Sequence, residues 1–237
     1  MSENVNELWI ERLGCVSYAQ ALEYQREVAR DRISGAIPQD VPLLVEHPPV
    51  ITLGRSSKEK NLLASPQLLK SRGVELFEVE RGGDVTFHGP GQLVGYPIID
   101  LKRHKRDLHW YLRRVEEALM HALAEFGIAT DRNAGYTGVW TKDRSRKIAS
   151  IGVHARDWVT WHGFALNVST NLNYFDLIVP CGIDAVTMTS VDRETAPASP
   201  QMAAVEDAVI RGFCAVFELR AKHVTSVRPE KPLFSTI

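Results

Sequence analysis

Residues 147–168, KIASIGVHARDWVTWHGFALNV, alternate in character on either side of the polar triplet Ala155, Arg156 and Asp157. Two strand-length runs about a reversing triplet predict a β-hairpin. With the turn near residues 156 and 157, Ser150 faces about Gly163, Gly152 faces about Trp161, and Lys147 lies opposite residues near Leu166. The segments SIG (150–152) and GFA (163–165) then form one patch of small side chains, a wall along which an extended apolar ligand can lie.

The rest of the chain must surround that hairpin. LWIERLG reads as a strand, and Ser17 is placed to cap a helix over YAQALEYQREVARDRI, where Ala21, Leu22, Val28 and Ala29 recur at helical spacing. PLLVEH and PVITLG are short β-rich runs bent by Pro48 and Pro49, and Ser65 with Pro66 starts a short helix that Gly73 closes. VELFEVE runs into a glycine-rich segment and on to QLVGYPIIDL, so that segment joins two strands. A helix from Asp107 to Gly127 presents Leu108, Tyr111, Leu112, Val115, Leu119, Leu123 and Phe126 as a core face. Another starts at Ser199 and Pro200 and ends about Leu219, with Met202, Val205, Val209, Phe213 and Val216 as its stripe. Strands and helices mix without strict βαβ alternation, which predicts the α+β class: a mixed central β-sheet flanked by helices. No repeat or linker divides the chain, so residues 1–237 are read as one domain.

Of 237 residues, 44% are hydrophobic and 24% charged, and the formal net charge is −1, which gives no long-range attraction for nucleic acid or an anionic membrane. No apolar run approaches the roughly 20 residues that span a bilayer, and MSENVNELWIERLG lacks a signal-peptide pattern, so a cytoplasmic protein is expected. Cys15, Cys181 and Cys214 form neither a C-x-x-C pair nor an even disulfide framework, which suits a reducing compartment. No metal-ligand pattern is present.

The segment RGGDVTFHGPG (81–91) holds four glycines beside Arg81 and His88. HGPGQLVGY misses the dinucleotide fingerprint, and no glycine precedes the Lys-Ser/Thr of a P-loop. Two readings stay open: a tight turn between strands, or bare backbone against which a ligand presses. Cys15 and Cys214 read as buried, inert thiols, whereas Cys181 in LIVPCGI sits at a Pro-Gly turn where sulfur can be reached. A free thiol with a pKa near 8.5 needs a cationic neighbour to act as a nucleophile at neutral pH. Lys147, His88, His154 and His162 are the candidates, against the alternative that Lys147 belongs to a solvated basic loop, KDRSRK.

RGGDVTFHGPGQLVGYPIIDL, KIASIGVHARDWVTWHGFALNV and PCGI resemble the signature segments of the lipoyl(octanoyl) transferases, in order and at similar separation, over roughly residues 10–225. The resemblance implies the fold of the biotin and lipoate protein ligase catalytic domain. It implies Cys181 as nucleophile and Lys147 as its activating partner, with acyl-binding residues Arg81, Gly82, Gly83, Asp84, Val85, Thr86, Phe87 and His88, Ser150, Ile151 and Gly152, and Gly163, Phe164 and Ala165. The implied reaction is the first step of endogenous lipoate biosynthesis: an octanoyl or lipoyl group passes from acyl carrier protein, through a thioester on Cys181, to a lysine of a lipoyl domain. The implied acceptors are the E2 subunits of 2-oxoacid dehydrogenases and the glycine cleavage H protein. No cofactor, metal, nucleic acid or membrane is implied, and a monomer is expected.

A thiol attacking a thioester exchanges like for like, so no ATP is needed. Lys147 can serve as an ion-pair partner or as a desolvated neutral base. His88 reads as a binding group, with a Cys–His pair as the alternative. The backbone amides around Cys181 and Gly182 are expected to hold the oxyanion. Two rival readings are an ATP-dependent ligase on the same fold and an acyl-binding module in which Cys181 only packs.

Overall fold

The computed structural model describes residues 6–183, 186–231 and 233. The chain opens with β1 (Glu7–Cys15) and α1 (Tyr18–Ser34), and the Ser17 hydroxyl caps the helix by accepting the Gln20 amide. There follow β2 (Val41–Glu46), β3 (Val50–Leu53), α2 (Pro66–Ser71) capped by Ser65, and β4 (Glu75–Glu78). β5 (Val85–His88) and β6 (Gln92–Ile98) precede α3 (Leu108–Ala124), whose cap is Asp107. Next come β7 (Thr130–Asn133), β8 (Tyr136–Thr141), β9 (Arg146–Arg156) and β10 (Val159–Asn167). The chain closes with β11 (Thr187–Met188), α4 (Val191–Thr195), α5 (Met202–Phe217) and β12 (Arg220–His223).

The large sheet runs β12-β1-β2-β6-β10-β9-β8-β7, with β11 added beside β9. Parallel pairing at β12-β1-β2 and antiparallel pairing from β2 to β7 make it mixed, as expected. Both faces are covered. Leu44, Leu93, Ile148 and Phe164 meet Val115, Leu119 and Leu123 of α3 and Val209 and Phe213 of α5 on one side. On the other, Leu43, Val45, Val94 and Tyr96 meet Ala21, Tyr24 and Val28 of α1. The alternation of Leu43, Leu44 and Val45 between the two clusters is the period-two pattern of a strand buried on both sides.

The hairpin forms with a shifted register. Asp157 and Trp158 make the turn with φ of 51° and 64°, so Arg156 pairs with Val159, Gly152 with Gly163, and Ser150 with Ala165. The predicted register is off by two residues. A slip of two keeps every side chain on its predicted face, so the SIG and GFA segments still share one wall. Lys147 is instead beside Trp140 of β8 and Met188 of β11.

Three further expectations change. The glycine segment is no simple connector, because residues 85–88 form β5 in a small sheet ordered β4-β3-β5. α5 starts at Met202, since the Ser199 hydroxyl donates to Asp192 (2.9 Å) instead of capping. Cys15 is exposed at the end of β1 and Cys214 is half-buried, where burial pushes its thiol up. Of the domain read over residues 1–237, residues 1–5, 184, 185, 232 and 234–237 lie outside the described residues. Val227, in the tail without a counterpart in the resemblance, packs into the α1-side core and donates its amide to Glu11 (3.0 Å). No helix among the described residues is long and apolar enough to cross a membrane.

Candidate active site

Lys147 lies near the start of β9, between β8 and β11, and is 1% exposed. Its Nζ donates to the Thr137 carbonyl (3.0 Å) and to Cys181 Sγ (3.2 Å), and sits 5.4 Å from the centre of the Trp140 ring. The solvated stretch is the turn before it. Among the described residues no carboxylate pairs with Lys147. Cys181 Sγ is the lysine's side-chain hydrogen-bond partner among the described residues.

Cys181 reaches this position on the three-residue 3-10 turn Pro180–Gly182, partly exposed and with φ of 57°. That left-handed backbone disfavours any residue with a Cβ, so surrounding contacts must hold it. Asn61 and Asp84 do so. The Asn61 carbonyl accepts the Val179 amide (2.8 Å), and its side chain donates to Asp84 (2.6 Å). Gly182, at φ of 64°, lies so close that a Cβ there would sit 2.5 Å from Asp84 Oδ2. β11 then pairs with β9 at Lys147, which returns the cysteine segment to the lysine strand.

A cavity of about 470 Å³ opens from Cys181 between the small sheet and the large one. Arg81, Gly82, Gly83, Asp84, Val85, Thr86 and His88 line it, and so do Ser150–Gly152 and Gly163–Ala165. Phe87 does not. Its ring points to the far side of β5 and stacks on Tyr174 at 4.7 Å, because neighbouring residues of a strand face opposite ways. Bare backbone serves close approach: Gly82 donates to Val153 (2.8 Å), and a Cβ on Gly152 would stand 2.7 Å from the Gly82 oxygen. Arg81 is buried and donates to the Thr52 carbonyl (2.8 Å) and hydroxyl (2.9 Å).

His88 is set apart from the sulfur chemistry. Asn167 donates to Thr189 and accepts from Gln92, whose oxygen accepts His88 Nδ1–H at 2.9 Å. Burial, with help from His47 and Arg81, lowers the imidazole to about 3, so it is neutral and supplies no cation. Among the described residues, the side-chain partners of Cys181 Sγ are Lys147 and, at 3.7 Å, the Ser150 hydroxyl. His154 meets Trp161 edge-on, with ring centres 4.3 Å apart, and His162 lies 3.6 Å from Glu80. The expected oxyanion donor Gly182 is engaged, its amide donating to Val179 (2.9 Å).

Sequence reasoning missed Tyr18, Tyr96, Leu108, Leu112 and Tyr136, which also line the cavity. Leu108, read as core, and Tyr136 are 39% and 44% exposed where they line it. The wall is mixed rather than purely alkyl, since Thr86 Oγ1 is buried without a hydrogen-bond partner among the described residues and His162 Nε2 faces Glu80 from beyond hydrogen-bond distance.

Residues 17–214 match the family model described as the lipoyl protein ligase A/B catalytic domain. An octanoyltransferase of Acidobacterium capsulatum is 54% identical over 193 residues, covering 77% of this chain and 78% of that one. The chain belongs to the octanoyltransferases. A Cytophaga hutchinsonii octanoyltransferase is 42% identical across 95% of this chain and 99% of its own, and one from Myxococcus xanthus is 48% identical across 90% of this chain. The chain spans 60% of the length of the Myxococcus protein. Among solved structures, lipoate-protein ligase A bound with ATP superposes with a TM-score of 0.68 at 16% identity, covering 95% of this chain and 92% of that one. The bi-partite lipoate protein ligase of Thermoplasma acidophilum gives 0.69 at 16%, covering 95% and 89%. At that identity the likeness fixes the fold, while the octanoyltransferase family makes this chain an acyltransferase.

Proposed function

We propose that the octanoyl group this enzyme transfers in lipoate biosynthesis is carried as a thioester on Cys181, between an acyl carrier protein donor and a lipoyl-domain lysine. The observation that carries the reading is the 3.2 Å contact between Cys181 Sγ and a buried Lys147 that has no carboxylate partner among the described residues. In the first step the Cys181 thiolate attacks the donor thioester carbon. A new C–S bond forms, the donor C–S bond breaks, and the departing thiolate takes a proton from Lys147. In the second step the neutral amine of the acceptor lysine attacks the Cys181 thioester. The amide forms, Lys147 takes the amine proton, and Cys181 leaves as the thiolate.

Both steps balance without ATP, because thioester exchange is nearly isoenergetic and the amide lies downhill. The acyl chain runs into the cavity beside Gly152, Gly163 and Ala165. Burying six methylenes contributes on the order of 5 kcal/mol, which separates octanoyl from much shorter groups. A single methylene is worth less than about 1 kcal/mol, so selectivity among neighbouring lengths is graded. The Ser150 hydroxyl, 3.7 Å from the sulfur, is placed to donate to the developing oxyanion. The acceptors are the lipoyl domains of 2-oxoacid dehydrogenase E2 subunits and the glycine cleavage H protein, met in the cytoplasm, where three unpaired cysteines stay reduced.

The test mixes purified enzyme, octanoyl carrier protein and a lipoyl domain without nucleotide. Transfer is expected with the native chain and absent with Cys181→Ala. Transfer by the alanine variant at the native rate, or a strict need for ATP, overturns the reading.

A further inference from the structure

We propose that Glu116 is a positioning residue that sets Lys147 against Cys181 through the single peptide group joining Thr137 and Gly138. The inference rests on the reading of Lys147 and Cys181 as the working pair.

Glu116 lies on α3, on the helix face otherwise occupied by Val115, Leu119 and Leu123, and it is 0% exposed. An acid in that stripe requires compensation. Its Oε2 accepts from Arg113 (2.6 Å) and Arg132 (2.9 Å), and Arg132 also donates to the Arg113 carbonyl (2.9 Å). Its Oε1 accepts the Gly138 amide at 3.1 Å. The opposite end of that peptide is the Thr137 carbonyl, which accepts Lys147 Nζ at 3.0 Å. A planar trans peptide points its N–H and C=O in opposite directions. The carboxylate and the lysine therefore grip one peptide plane from its two sides, and the orientation of each determines the other. Hydrogen bonds in such a chain polarise one another, so the carboxylate strengthens the carbonyl that holds the lysine.

The neighbouring backbone is shaped for this contact. Gly138 has φ of 135°, and a Cβ there would stand 2.6 Å from Lys147 Cε and 2.5 Å from the Ala149 oxygen. The β8–β9 pairing also shifts register between Val139 and Trp140, beside the lysine. Only a whole buried ion pair is replaced by apolar groups at little cost, but the arginines facing Glu116 keep access to water, with side chains 46% and 37% exposed, so the pairing itself contributes little to stability. A carboxylate in this stripe is thus explained by geometry at Lys147 better than by stability.

The test compares Glu116→Leu and Glu116→Gln with the native chain. It reads Cys181 alkylation by iodoacetamide, single-turnover acylation, and KM for octanoyl carrier protein. Glu116→Leu is expected to slow alkylation and acylation at least about tenfold, with KM within about twofold. Glu116→Gln keeps an acceptor for the Gly138 amide, so it recovers most of the rate, with its alkylation profile displaced to higher pH because the neutral amide polarises the Thr137 carbonyl less and holds Lys147 less firmly against the sulfur. A folded leucine variant with native rates overturns the inference. If the leucine variant does not fold, the glutamine variant decides: a displaced profile with unchanged KM supports the inference, and an unchanged profile contradicts it. Should Lys147→Met and Cys181→Ala also retain activity, the parent reading fails with it. If only the Glu116 variants are unaffected, this inference fails alone.

Discussion

The two partners in the proposed transfer come from regions built on different principles. Lys147 belongs to β9, paired with β8 on one edge and β11 on the other, and its side chain is buried. Cys181 belongs to a turn of three residues with left-handed backbone, held from outside by Asn61 and Asp84. The sheet over-determines the position of the lysine, whereas a few side-chain contacts determine that of the sulfur. Changes on the lysine side therefore act on chemistry with little effect on fold, and changes on the cysteine side act through position.

The largest effect that separates the two is Lys147→Met. Methionine keeps the apolar stem against Trp140 and removes only the amine. Transfer is expected to fall by about 100- to 10,000-fold, with the melting temperature little changed because the sulfur left without its partner takes a proton and is neutral. Rate assays beside thermal melts check this, and a large loss of stability would show that the lysine is a structural element. Next is Gly182→Ala, which introduces a Cβ 2.5 Å from Asp84 Oδ2 at a residue with φ of 64°. Acylation is expected to slow by about tenfold or more, with a stability loss of about 1–3 kcal/mol. Native rates in single-turnover assays would mean that the turn is less constrained than its geometry implies.

The smallest effect concerns two buried histidines, His88 in the cavity wall and His47 behind it against Tyr96. Burial lowers His47 to about 4 and His88 to about 3, against about 6.5 in an unfolded chain. As pH falls below 6.5, the unfolded chain binds protons that the folded one excludes, so stability decreases between pH 6.5 and about 4. His154 and His162, lowered by burial as well, add to the decline, while Glu11, raised by burial, opposes it at the acid end. Melts at pH 7 and pH 5 are expected to show the decline, and His88→Gln to reduce it. A flat profile in the native chain would contradict the burial of these rings.

The difference between the regions also explains what the sequence reveals. β9 and β10 are legible because alternation and a polar triplet are local signals, and even the register error preserves which face each residue occupies. The hairpin put Ser150 on its wall, whereas the neighbours of Lys147, Trp140 and Met188, belong to strands outside the hairpin and were not legible from it. The Cys181 turn is not legible in the same way: its clamp uses Asn61 and Asp84, far away in the chain, and no periodicity marks either. β5 was hidden because glycines on both sides of VTFH signal turns while the strand between them is only four residues long. Tyr18 and Leu108 were read only as helix residues, since the cavity they line is created by packing between elements. A glutamate in the stripe of α3 was the one local sign of Glu116.

The account rests on a covalent octanoyl group at residue 181, formed with the help of residue 147. Mass spectrometry of the enzyme after incubation with octanoyl carrier protein, without acceptor, measures this directly when followed by peptide mapping. The account predicts one octanoyl group on the peptide containing Cys181, lost on hydroxylamine treatment and greatly slowed in Lys147→Met. An unmodified chain that still transfers octanoate, or an octanoyl group mapped elsewhere, would contradict it.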